Sequence, residues 1–151
     1  MQENCPVSAG VKKIYGLACR WRQCLASGAD LAIRLYVADI FWKSALAKLA
    51  NWDSTLYLFA EEYKVPLLPP HLAAYLGTGV EIIGSALLAF GLLTPVAALA
   101  LLFQVAVIDL TYTHAEEHIY WALLLLVPLF HGPGKISLDY LIYRRCRTAN
   151  D

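Results

Sequence analysis

Charged residues make up only 16% of the 151-residue chain. Between Pro95 and Ile108 the only polar side chain is Gln104. A helix in water needs a solvated face and that run has none, which argues against a soluble helical core. The four cysteines, Cys5, Cys19, Cys24 and Cys146, contain no pair at the two-residue spacing of a dithiol or zinc motif. That absence excludes a disulfide-exchange enzyme acting alone and reads all four as free thiols, with acylation left open. Before Asp30 there is no uninterrupted apolar core followed by a small-residue cleavage site, so no secretory leader is expected. A basic, aromatic-stacking surface is also missing, which excludes nucleic acid as a partner.

Apolar residues are abundant, at 59% with a mean hydropathy of +0.53, against about 45–50% apolar in a soluble domain. About 20 such residues make one bilayer crossing. Four segments qualify: about Asp30 to Ala50, about Leu72 to Leu93, Pro95 to about Thr113, and a shorter one from about His118 to Phe130. The expected fold is all-α, a four-helix transmembrane bundle with an N-terminal interfacial amphipathic helix and a short C-terminal helix. The bundle occupies residues 29–140, between an interfacial segment (1–28) and a basic tail (141–151). In the first segment Ile14, Leu17, Ala18, Trp21 and Leu25 recur at helical spacing among Lys13, Arg20 and Arg22, as suits a helix lying on the membrane surface. A flexible tail is the alternative.

Lys12, Lys13, Arg20 and Arg22 precede the first span, and Lys135, Arg144, Arg145 and Arg147 follow the last. The intervening outer connections are acidic, with Asp53, Glu61, Glu62, Glu116 and Glu117. The positive-inside rule therefore places both termini in the cytoplasm, which for a bacterial chain means a multi-pass inner-membrane protein.

The charges inside the spans carry the functional signal. Arg34, Asp39, Lys43 and Lys48 share the first segment. With Arg34 and Lys48 snorkelling to the two interfaces, Asp39 and Lys43 still cost about 5–7 kcal/mol, so they are expected to pair across one helical turn. Such a pair either stabilises the bundle or serves a site. Gly77, Gly84 and Gly91 recur every seven residues and form a smooth seam in the second span. Glu81 lies on that seam and is expected to face the bundle interior near mid-membrane. Asp109 sits toward the outer end of the third span. Counting Asp39, Glu81 and Asp109 against Arg34 and Lys43 leaves one acid in excess, to be neutralised by a proton or by a ligand cation.

His71, His114 and His118 gather at the outer side, and His131 lies near the inner end of the fourth span. His114-Ala115-Glu116-Glu117-His118 formally matches a zinc-protease pattern, but only 33 residues follow His118 and most lie in a span or beyond it, so that chemistry is rejected. Three readings stay open: an exposed polar connection, a proton relay, or a site for copper, zinc or haem iron held by His114 and His118 with Asp109, His71 or Glu117. Boundary aromatics suit an interfacial belt, and Tyr75, Tyr112 and Trp121 are also candidates to line a quinone pocket.

Arg34-Leu35 with Phe41, Ser44 and Lys48, then Glu81-Ile82-Ile83-Gly84, and finally Gly132-Pro133-Gly134-Lys135-Ile136-Ser137-Leu138-Asp139 together resemble the DoxX family over roughly residues 30–140. The closing motif is the most specific. Physically it stops the fourth helix with Gly and Pro, then offers Ser137 as a cap for a short C-terminal helix with Asp139 in its first turn. The resemblance implies a four-helix membrane protein associated with redox machinery. The family takes its name from a subunit of a thiosulfate-oxidising, quinone-reducing complex, and other members are tied to thiol or oxidative-stress systems or to enzymes that modify metal-binding peptides. The expected function is a membrane subunit of a quinone- or thiol-linked redox system. Its polar core of Arg34, Asp39, Lys43, Glu81 and Asp109 would hold a quinone head or relay protons, with Tyr75 and Trp121 as cofactor contacts. A metal-linked accessory protein and a non-catalytic scaffold are the alternatives. Besides the lipid bilayer, a membrane or periplasmic redox protein, or further copies of the chain, are the expected partners.

Overall fold

The computed structural model describes residues 9–66, 68–111 and 116–148, without the side chains of residues 9–14 and 20. The described residues are helical and contain no strand. Helix α1 spans Ala9–Ala50, and α2 (Trp52–Tyr57) runs on into a π-helical turn, Leu58–Tyr63. The remaining helices are α3 (Pro70–Phe90), α4 (Thr94–Thr111), α5 (Glu116–His131) and α6 (Leu138–Thr148). Helix α1 packs on α3 and α5, α3 on α4, and α4 on α5, so these four close a ring.

The N-terminal segment is not a separate surface helix. It is continuous with the first expected span in a single helix of 42 residues, about 63 Å long at 1.5 Å per residue. No proline interrupts residues 9–50, and Gly28 at the expected junction costs only about 1 kcal/mol within a helix. Ser27, also at that junction, donates its hydroxyl to the Gln23 carbonyl at 2.9 Å, a bond inside the helix rather than a cap that would start a new one. Tyr15, Leu17, Trp21 and Leu25 remain exposed along this half.

Inside the ring, Val37 and Phe41 of α1 meet Leu88 of α3, Leu101 and Val105 of α4, and Leu125 of α5. The glycine seam is where the neighbours approach. A Cβ on Gly84 would sit 3.0 Å from Leu101, and one on Gly77 would sit 3.2 Å from Phe59 of the π-helical turn. Leu76, Ile83, Leu99, Phe103, Leu110 and Leu123 point outward and are exposed. An apolar outside around a core containing Arg34 and Glu81 reverses the pattern of a soluble bundle. Helices α3 and α4 each have the length and apolar composition to cross a bilayer.

Candidate functional site

Two charged clusters lie within the ring, both organised by one stripe of α1. Arg34, Phe41 and Lys48 are seven residues apart, so they share the face that carries Val37 and Ala45 into the core.

The first cluster is built on Glu81, near the middle of α3 and 1% exposed. Lys48 Nζ forms an ion pair with Glu81 Oε1. Gln104 of α4 donates Nε2 to the same oxygen at 2.7 Å, and the Ser44 hydroxyl approaches it at 3.4 Å. Lys48 also donates to Ser44 Oγ at 3.0 Å. Three donors from α1 and α4 thus converge on one carboxylate oxygen. The other, Oε2, is buried with no hydrogen-bond partner, as is Gln104 Oε1. Beside Glu81 lies a cavity of about 360 Å³, walled by Phe41, Val105, Ile108 and Trp121, with Ser44, Lys43 and His118 also reaching it. The volume is within the range of about 300–1,000 Å³ typical of small-molecule pockets.

His118, at the start of α5, contacts Asp109 of α4 through Nδ1 at 3.1 Å and lies 5.4 Å from the Trp121 ring. Its side chain is largely buried, so it belongs to the cavity wall rather than to an exposed connection. Tyr112 and His114 lie outside the described residues. Among the described residues no group of three His, Cys, Asp or Glu side chains is placed to hold a metal ion.

The second cluster closes the opposite end. Arg34, buried, donates to the carbonyls of Leu88 at the end of α3 and of Ile136 before α6. Gly91 turns the chain with φ 66°, and its N–H and that of Leu92 bond back to the Leu88 and Leu87 carbonyls in a Schellman motif. Asp139 then reaches across from α6, accepting from the N–H of Leu93 at 2.9 Å and from the N–H and hydroxyl of Thr94 at 3.0 and 3.1 Å. A carboxylate from a distant element therefore caps the N-terminus of α4 and holds Leu93, a non-glycine residue at φ 48°. Ser137 accepts the Tyr140 N–H at 3.1 Å, which makes it the cap of α6.

Three expectations need correction. Asp39 and Lys43 do pair, at 2.6 Å, but they are 54% and 72% exposed on the outer side of α1 and are not core groups, although Lys43 reaches the cavity rim. Five and nine residues after Arg34, they are turned about 140° and 180° away from its stripe at about 100° per residue. Neither Lys48 nor Arg34 turns outward along α1; both are drawn into the bundle. Lys48 turns inward to Glu81 and supplies the cation that seemed to be lacking for the excess acid. Tyr75 is exposed and packs against Trp52, ring centroids 4.7 Å apart and tilted by 45°, away from the cavity that Trp121 lines. The sequence reading missed Lys48 and Gln104, although both carried a signal. Lys48 lies fourteen residues, two seven-residue steps, after Arg34, and Gln104 is the lone polar group in an apolar run.

In comparisons with known proteins, the DoxX family model matches residues 29–114, more than half of the chain, from the start of the first expected span to just before α5. No curated protein and no solved structure matches.

Proposed function

Since the chain belongs to the DoxX family, we propose that it is a membrane subunit of a bacterial inner-membrane redox system whose Glu81 cavity takes a quinone head. In this reading α1, α3, α4 and α5 all cross the bilayer and both termini face the cytoplasm, as the distribution of Lys and Arg favours. The observation that carries the ligand assignment is the bare Oε2 of Glu81, a buried acceptor beside a cavity with apolar walls. Leaving such an atom unbonded costs about 1–3 kcal/mol or more, which a ligand hydroxyl would recover.

The residues fit a ring with polar edges. Phe41, Val105, Ile108 and Trp121 shed water around the ring, and Glu81 sets the polar edge, with Ser44 and His118 also lining the cavity. Lys48, Ser44 and Gln104 fix the Glu81 carboxylate through Oε1, so that Oε2 is the oxygen presented for accepting or returning a proton. His118, which lines the same cavity and contacts Asp109 behind it, is a second place to hold a proton. A bound quinone would supply the two-electron, two-proton chemistry.

The test is titration of the detergent-purified chain with a short-chain ubiquinol, the reduced form that carries the donating hydroxyls, read by tryptophan fluorescence. Quenching that Trp121→Phe removes is expected, with affinity at least about ten-fold weaker in Glu81→Gln/Lys48→Met, the equivalent of one charged hydrogen bond. Equal affinity in that double variant would remove Glu81 from the site.

A further inference from the structure

Asp39 and Lys43 share a single hydrogen bond on the outer face of α1, although a carboxylate offers about four acceptor sites and an ammonium three donors. Opposite them on α3 stand Ser85 and Ala86, about midway between Glu81 and the end of the helix at Phe90, so the pair lies well inside the expected span. Lipid tails cannot complete its hydrogen bonding. Beside Asp39 runs a groove of about 270 Å³ between α1 and α3, floored by Ala38, Ser85, Ala86 and Ala89 and edged by Trp42. Small residues of this kind let another helix approach closely.

We propose that this face seats the same face of a second copy of the chain, α1 against α1 about a two-fold axis along the membrane normal, so that Asp39 of each copy meets Lys43 of the other. The charge pattern selects that occupant. A partner must present a cation to Asp39 and an anion to Lys43 one helical turn apart, and a second copy presents both by symmetry. Net charge at the contact is zero, and four groups gain the partners that one copy alone does not supply. Trp42, 44% exposed at the groove edge, is the apolar anchor. The inference rests on the placement of α1 in the bilayer and does not depend on what the cavity holds.

Two differently tagged copies, co-expressed and purified together from membranes, test it. Wild-type copies are expected to co-purify. Asp39→Lys paired with itself, and Lys43→Asp paired with itself, are each expected to lose association about ten-fold or more, since each places four like charges together. Asp39→Lys co-expressed with Lys43→Asp is expected to restore it. As a second measurement independent of charge, Leu46→Cys in a background with the native cysteines replaced should cross-link between copies with a short bis-maleimide, and Phe103→Cys on α4, across the ring from α1, should not. Undiminished self-association of either single variant, or failure of Leu46→Cys to cross-link, would overturn the inference. So would a wild-type chain that stays monomeric in carbonate-resistant membranes. Release of the chain by alkaline carbonate would overturn the membrane placement as well, which separates the two failures.

Discussion

Arg34 and Lys48 lie on the same stripe of α1, about 21 Å apart, and both are drawn into the bundle, yet their surroundings differ in kind. Arg34 is met by backbone carbonyls and by the turns that begin and end helices. Asp139 and Ser137 complete that end by capping α4 and α6. Its hydrogen bonds join segments far apart in sequence, as a structural joint does. Lys48 is met by side chains alone, those of Glu81 and Ser44. Its cluster crowds three donors onto one oxygen and leaves the other bare beside a cavity. One end of the ring is closed by the chain itself, and the other is left open to something else. Under the proposed function, one cation of α1 serves architecture and the other recognition, according to whether its hydrogen-bond partners are backbone or side chain.

The contrast can be broken by measuring thermal stability in detergent. Arg34→Ala leaves the Leu88 and Ile136 carbonyls without their buried donor and opens a cavity, and is expected to cost about 3–5 kcal/mol, the largest effect in the chain. A near-wild-type melting temperature would show that the joint is dispensable. Gly91→Ala should follow at about 2–3 kcal/mol, because φ is positive there and the new methyl would collide with the Arg34 guanidinium and lie 2.6 Å from Ser137 Cβ. If Gly91→Ala were tolerated, Arg34 would have to be placed elsewhere. Asp139→Ala removes the cap of α4 and should cost about 1–2 kcal/mol, with a smaller increment when Arg34 is already alanine. Additive losses would instead mean that the two residues act separately. At the other end, Glu81→Gln/Lys48→Met replaces both charges and should change stability by about 1 kcal/mol or less, since buried pairs contribute little net stability. A loss as large as that of Arg34→Ala would make the Glu81 cluster a second joint and erase the distinction.

Much of this was legible in the chain. The apolar runs located α3, α4 and α5 to within a few residues, because lipid-facing and core-facing residues are both apolar and polar interruptions mark the ends. The seven-residue recurrence of Gly77, Gly84 and Gly91 located the close-packed seam and, with it, the inward direction of Glu81. Ser137 was legible as a helix cap from its place after Gly-Pro-Gly. The partner of Glu81 was read less well. Counting charges by depth sent Lys48 to the interface, whereas its angular position around α1 sends it inward with Arg34. The second role of Asp139 had no local signal, since the N–H groups it caps lie 45 and 46 residues away.

Sequence alone determined that the chain is helical, apolar on its outside and interrupted by a few charges at fixed angular positions, because helical period and residue polarity are local properties. Which charges meet was decided only by tertiary structure. Lys48 joins Glu81, Asp39 is left with Lys43 on the outside, and Arg34 lies against the end of α3 and the segment leading into α6, because contact depends on which faces of α1, α3, α4 and α5 turn toward one another when the ring closes.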